Sequence, residues 1–127
     1  MRVLPRILIV DDQESMRLLV KSLLAQLGFL DVALATDGKD ALAVLKREPI
    51  DLVLLDGEMP VLDGIGTLKA IRTDAIMARL PVIMVTGRSD TGFVKELSGL
   101  GLNGYLKKPF SSTALAQRLS AIFPNHR

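Results

Sequence analysis

Three acidic residues stand where short aliphatic runs end. Asp11 and Asp12 follow Ile7-Leu8-Ile9-Val10, and Asp56 follows Leu52-Val53-Leu54-Leu55. Thr86 and Gly87 follow Val82-Ile83-Met84-Val85, and Lys108 and Pro109 lie just past Tyr105-Leu106. Clustered carboxylates repel one another, which raises their pKa values unless a cation relieves them. Mg²⁺ suits such a set, because it takes one or two carboxylates together with waters and phosphate oxygens; Mn²⁺ is the natural substitute. A carboxylate can also act as a nucleophile in phosphoryl transfer and form an aspartyl phosphate. Catalysis is then mostly positioning and neutralisation of charge on three phosphoryl oxygens. A Mg²⁺ ion, the Lys108 ammonium and the Thr86 hydroxyl can each take one.

Each residue also has a plainer reading. Asp11 and Asp12 could sit at a helix N-terminus and complement its dipole. Asp56 could be the turn residue of an Asp-Gly pair, and Thr86-Gly87 could be loop chemistry. Lys108-Pro109 alone carries no message. Tyr105 on a short strand reads as a half-buried core residue with a wet hydroxyl. His126, in the polar tail Pro124-Asn125-His126-Arg127, reads as solvated and uninvolved. The chemical reading gains its weight from the joint presence of Asp11, Asp12, Asp56, Thr86 and Lys108.

The elements that must position these groups alternate. Strand-like runs at 7–10, 32–35, 52–55, 82–85 and 105–106 are interleaved with helical patterns. These run from Ser15 to Leu27, Asp40 to Arg47, Ile65 to Arg72, Thr91 to Leu100, and Ser112 to Ile122. In the first, Met16, Leu19, Val20, Leu23, Leu24 and Leu27 form an apolar stripe, with Gly28 suited to the helix end. Pro49 stops the second. Ser112 is the expected cap of the last. Strands alternating with helices predict an α/β fold, a parallel sheet covered on both faces. Ligands of such sheets bind at the carboxyl ends of the strands, where the candidate residues fall.

The bulk numbers agree. The 127 residues are 49% hydrophobic and 24% charged, ordinary values for one globular domain. The chain holds no cysteine, which excludes disulfides and thiolate metal sites. A net charge of +2 is too weak and dispersed to argue for nucleic acid as a partner. No apolar run approaches the ~20 residues that span a bilayer. The first five residues are too short for a signal peptide. A cytoplasmic protein without a membrane partner is the expectation.

As a set, Val10-Asp11-Asp12, Leu54-Leu55-Asp56, Met59-Pro60 with Asp63-Gly64, Val85-Thr86-Gly87 and Lys108-Pro109-Phe110 resemble the receiver domains of bacterial two-component response regulators. The resemblance runs from about residue 6 to 122 within a single domain, 1–127, and is closest to the stand-alone receivers that include the chemotaxis regulator. It implies a flavodoxin-like, doubly wound (βα)5 fold with five parallel strands in the order 2-1-3-4-5. It implies that Asp11 and Asp12 hold Mg²⁺, with Asp12 the more direct ligand. Asp56 is then both metal ligand and phosphoryl acceptor, and Glu58 lends its backbone carbonyl to the metal. Lys108 would pair with the phosphoryl group, and its bond to Pro109 is typically cis in the family. Thr86 and Tyr105 would form the switch pair. The implied donor is a sensor histidine kinase or a histidine phosphotransfer protein. The implied target binds the last two helices and the fifth strand.

Several positions depart from the common pattern. Gly57 replaces a larger residue, so the pocket is expected to be less shielded on that side. Gln13 follows the acid pair where a charge is common. Glu58 and Arg88, each two residues beyond a site residue, are expected to flank the pocket and to pair across its mouth. Two other functions compete. A phosphohydrolase of the haloacid dehalogenase type also uses an Asp nucleophile and Mg²⁺, but wants it after the first strand, with a second Asp two residues later and a capping insertion. A degenerate receiver would act by binding alone, which the complete set of five residues argues against. The receiver itself is no enzyme in the ordinary sense, although it would catalyse its own phosphorylation and dephosphorylation.

Overall fold

The computed structural model describes residues 4–126; the first three residues of the segment weighed as a signal peptide, and Arg127, lie outside them. Five strands and five helices alternate: β1 (Ile7–Val10), α1 (Glu14–Gln26), β2 (Val32–Ala35), α2 (Gly38–Arg47), β3 (Leu52–Asp56), α3 (Gly64–Thr73), β4 (Val82–Thr86), α4 (Thr91–Ser98), β5 (Gly104–Lys107) and α5 (Ser112–Ile122). The strands form one parallel sheet in the order β2-β1-β3-β4-β5, as expected.

The aliphatic runs explain the layering. Successive strand side chains point to opposite faces, so a run that is apolar throughout must be covered twice. Leu8, Val10, Val53, Leu55, Val82 and Met84 meet Ala41, Val44, Leu68, Ile71, Phe93 and Leu97 from α2, α3 and α4. Ile7, Ile9, Leu52, Leu54, Ile83 and Val85 meet Val20, Leu24, Leu115 and Leu119 from α1 and α5. The edge strand β2 is partly exposed, consistent with its weaker pattern.

Four of the five helix starts are set by side-chain caps, and α1, entered from Gln13, is the exception. Asp37, Asp63, Asp90 and Ser111 accept bonds from the amides of Asp40, Gly66, Phe93 and Ala114. Ser111, not Ser112, therefore caps α5. The helix entry falls one residue earlier because residue 111 is still extended, with φ −87° and ψ 159°. Leu19 is 51% exposed and leaves the expected apolar stripe of α1. Its neighbour Val20 is turned about 100° from it and takes the core position. Gly28 has φ +91°, the left-handed conformation that ends α1.

Two stabilising contacts lie outside any sequence pattern. The Arg72 guanidinium, at the end of α3, donates to the carbonyls of Ala78, Leu80, Leu100 and Gly101 and to Asn103 Oδ1. It ties α3 to the segments entering β4 and β5. His126 is not free in solvent, as the polar tail suggested. Its ring stacks on Phe29 with centroids 3.8 Å apart, and its Nε2 donates to the Gly28 carbonyl at 2.9 Å.

Candidate functional site

Parallel pairing brings the carboxyl ends of β1, β3, β4 and β5 to one edge of the sheet. Val10 lies beside Leu55, Asp56 beside Val85, and Thr86 beside Lys107. The residues that follow must converge there. Asp11 and Asp56 are buried, Thr86 is wholly so, and Asp12 is exposed. Carboxylate oxygens of Asp11, Asp12 and Asp56 all lie within 4.8 Å of one another. Lys108 Nζ stands 2.9 Å from Asp11 Oδ2 and 3.4 Å from Asp56 Oδ1. The Lys108–Pro109 bond is cis, as the resemblance implied, and Pro109 itself is exposed.

Each acid has a different environment. Asp11 accepts from Lys108 and from the Gln13 amide at 2.9 Å. Asp56 Oδ1 accepts from the Glu58 amide at 3.2 Å. Burial raises the Asp56 pKa to about 6; the Glu58 amide and Lys108 oppose the rise, and repulsion from Asp11 adds to it. For Lys108, burial pulls downward, but its bond to Asp11 and the charge of Asp56 outweigh it, and its pKa is raised. Among the described residues, nothing engages the Asp12 carboxylate. An open cleft of ≈ 330 Å³ is lined by Asp12, Gln13, Asp56, Glu58, Gly87 and Lys108. The donor set is oxygen only, one acid is left costly to ionise, and the cleft admits waters and an anion. These residues fit a hard divalent cation such as Mg²⁺.

The switch candidates are joined through one backbone segment. Thr86 Oγ1 accepts the Arg88 amide at 3.1 Å, and the Tyr105 hydroxyl donates to the Arg88 carbonyl. The side chain of Arg88 does not reach across to Glu58. It pairs with Asp90, Nε to Oδ1 at 3.0 Å and Nη2 to Oδ2 at 3.1 Å, and lies 4.4 Å above the Phe93 ring. The local bidentate pair, two residues away and on the cap of α4, displaces the expected bridge. Gly57 does not leave that wall open either. A Cβ there would stand 2.8 Å from Thr86 Cβ and Oγ1 and 3.0 Å from Phe93 Cζ. A Cβ at Gly87, by contrast, would meet nothing within 4 Å. Phe93 and Asp90 were not singled out from the sequence. Asp90-Thr91 before an apolar periodic segment was the available sign of a helix cap.

A family model described as the response regulator receiver domain matches residues 7–120, and the chain belongs to that family. It is of the chemotaxis-regulator type. Chemotaxis protein CheY-3 of Vibrio cholerae is 43% identical over 118 residues, 93% of this chain and 91% of that protein. Chemotaxis protein CheY of Pseudomonas aeruginosa is 41% identical and covers 93% and 95%. In fold, V. cholerae CheY4 superposes with a TM-score of 0.87 at 31% identity, over 94% of this chain and 99% of that one. The receiver domain of a P. aeruginosa sensor histidine kinase, solved with a magnesium ion coordinated in its active site cleft, gives 0.86 at 30% identity over 97% and 100%. Receivers of this type are signalling proteins that bind Mg²⁺ at an acidic pocket and interact with histidine kinases and downstream targets.

Proposed function

We propose that this protein is a phosphorylation switch of a two-component pathway, and that Asp56 is its phosphoryl acceptor. The observation that carries this reading is the convergence of a buried carboxylate, two further acids and an ammonium on one open cleft. With a pKa of about 6, Asp56 is mostly ionised at neutral pH and able to attack. Its free oxygen forms a bond to phosphorus as the P–N bond to a donor phosphohistidine breaks, and the imidazole nitrogen takes up a proton. Asp12 and Asp56, with Asp11 in support and the Glu58 carbonyl, would hold Mg²⁺. The cation neutralises phosphoryl charge. Lys108 already bridges Asp11 and Asp56, so its ammonium needs little movement to meet a phosphoryl oxygen. Thr86 Oγ1 spends a lone pair on Arg88, which leaves its proton for another phosphoryl oxygen. Withdrawal of that lone pair would be felt at the segment that Tyr105 also holds.

The donor in this reading is a phosphohistidine on a sensor kinase or phosphotransfer protein, which places the protein in the cytoplasm. Output is a change in the surface of α4, β5 and α5 that a protein target reads. The test is incubation with Mg²⁺ and acetyl phosphate, or with beryllofluoride, beside Asp56→Asn. The wild type should gain one phosphoryl group and the variant none. Equal labelling of the two would overturn the assignment.

A further inference from the structure

Gly57 sits between the acceptor and the loop that leads to α3, and its missing side chain has been replaced from another element. The point where its Cβ would stand is 2.8 Å from Thr86 Cβ and 3.0 Å from Phe93 Cζ. Thr86 and the tip of the Phe93 ring are therefore both within a methyl group's reach of one point beside Asp56. Phe93 is 2% exposed and belongs to α4, so a helix of the proposed output surface closes the wall of the phosphoryl site. Its other side is held as well. The Arg88 guanidinium lies 4.4 Å over the ring, and Asp90, the partner of Arg88, caps α4 through the Phe93 amide at 3.2 Å. The far end of α4 is fixed differently, since Arg72 donates to the carbonyls of Leu100 and Gly101.

We propose that Phe93 is the positioning residue that couples Thr86 to α4, and that Gly57 is what admits it to the switch. A Thr86 hydroxyl drawn toward a phosphoryl group turns the side chain about its Cα–Cβ bond, so that its methyl changes place while Cβ stays in β4. The Phe93 ring, whose tip shares the space over Gly57 with that side chain, follows the change, because an apolar ring keeps its burial rather than leave a void. The start of α4 then moves about an end that Arg72 holds. Packing carries this signal alongside the Thr86–Arg88–Tyr105 hydrogen bonds. A side chain at residue 57 would break it from the other direction. Thr86 Cβ is fixed in β4, so Phe93 would have to yield.

This inference rests on the phosphorylation reading, and its experiment separates the two. Amide spectra of the wild type, Phe93→Leu and Phe93→Ala are followed on adding beryllofluoride with Mg²⁺. All three should respond at Gly57 and Gly87. The shifts along α4, from Val94 to Leu97, should fall by more than half in Phe93→Ala and be largely kept in Phe93→Leu. A wild type silent at every amide would sink the phosphorylation reading and this one with it. A response at Gly57 and Gly87 with full α4 shifts in Phe93→Ala would sink this one alone. A second measurement needs no phosphoryl mimic. Gly57→Ala should lower the denaturation midpoint less in the Phe93→Ala background than in the wild type, because the collision with the ring is gone while that with Thr86 remains. An equal loss in both backgrounds would overturn the proposed fit.

Discussion

At the scale of single residues, the acid pair divides its labour in a way that neighbours in sequence cannot reveal. Asp11 is buried and already answers Lys108 and the Gln13 amide. Asp12 is exposed, faces the cleft and has no partner among the described residues. Under the proposed function, loss of Asp12 should therefore remove a metal ligand and nothing else. Asp12→Ala is expected to weaken Mg²⁺ binding at least ~10-fold, within the range that follows disruption of a metal site's supporting groups. Its effect on folding stability should stay within about 0.5 kcal/mol, as for a surface change. Asp11→Ala should lower both, because it strands a partly buried ammonium. Calorimetric Mg²⁺ titration beside urea denaturation separates the two, and an unchanged titration for Asp12→Ala would count against the site as drawn. The convergence of these residues was legible because β1, β3 and β4 are apolar up to the polar residue that ends or follows each, whereas β5, Gly104-Tyr105-Leu106-Lys107, gives no such sign. Phe93 and the Arg88–Asp90 pair were not. They depend on which way α4 turns its apolar face, and a short helix that offers only Phe93, Val94 and Leu97 leaves that open.

At the scale of elements, all ten were legible in kind, since apolar runs and apolar stripes have different periods. Their ends were less so. A cap depends on the backbone angle of a single residue, and Ser111-Ser112 offers the same side chain twice. Only Ser111 is extended and within 3.0 Å of the Ala114 amide. Ser111→Ala should cost about 1 kcal/mol and Ser112→Ala less than about 0.5 kcal/mol. Their denaturation midpoints decide it, and the reverse order would mean that α5 begins one residue later. Arg72 illustrates what no period encodes. A lone arginine at a helix end reads as solvated, and its value appears only when two distant segments present their carbonyls to it.

At the scale of the whole molecule, the site opposes the fold that holds it. Burial lifts the Asp56 pKa from 3.8 to about 6, so the ionised form is harder to keep in the folded protein than in the unfolded chain. The sign follows from linkage. Below about pH 4 the group is protonated in both states and favours folding in full relative to its ionised form. As pH rises through about 6 the folded protein must give up a proton it holds more tightly, and stability is lost. Between those limits the loss is about 1.4 kcal/mol per pH unit, or roughly 3 kcal/mol in all at pH 7. Asp56→Asn removes the charge and should be more stable than the wild type at pH 7 without metal, by up to that amount. The gap should close near pH 4. Asp90, held below its usual value by Arg88, is common to both proteins and drops out of the difference. Mg²⁺ should narrow the gap from the other side, because it binds the folded wild type and adds about 2.7 kcal/mol at a hundredfold excess over its dissociation constant. On the proposed function, the cation would thus restore at neutral pH what the buried acid costs. Thermal denaturation of both proteins from pH 4 to 8, with and without Mg²⁺, reads all of this at once. Parallel pH profiles would mean that the Asp56 charge is solvated in the folded protein and that the acceptor is not held under strain.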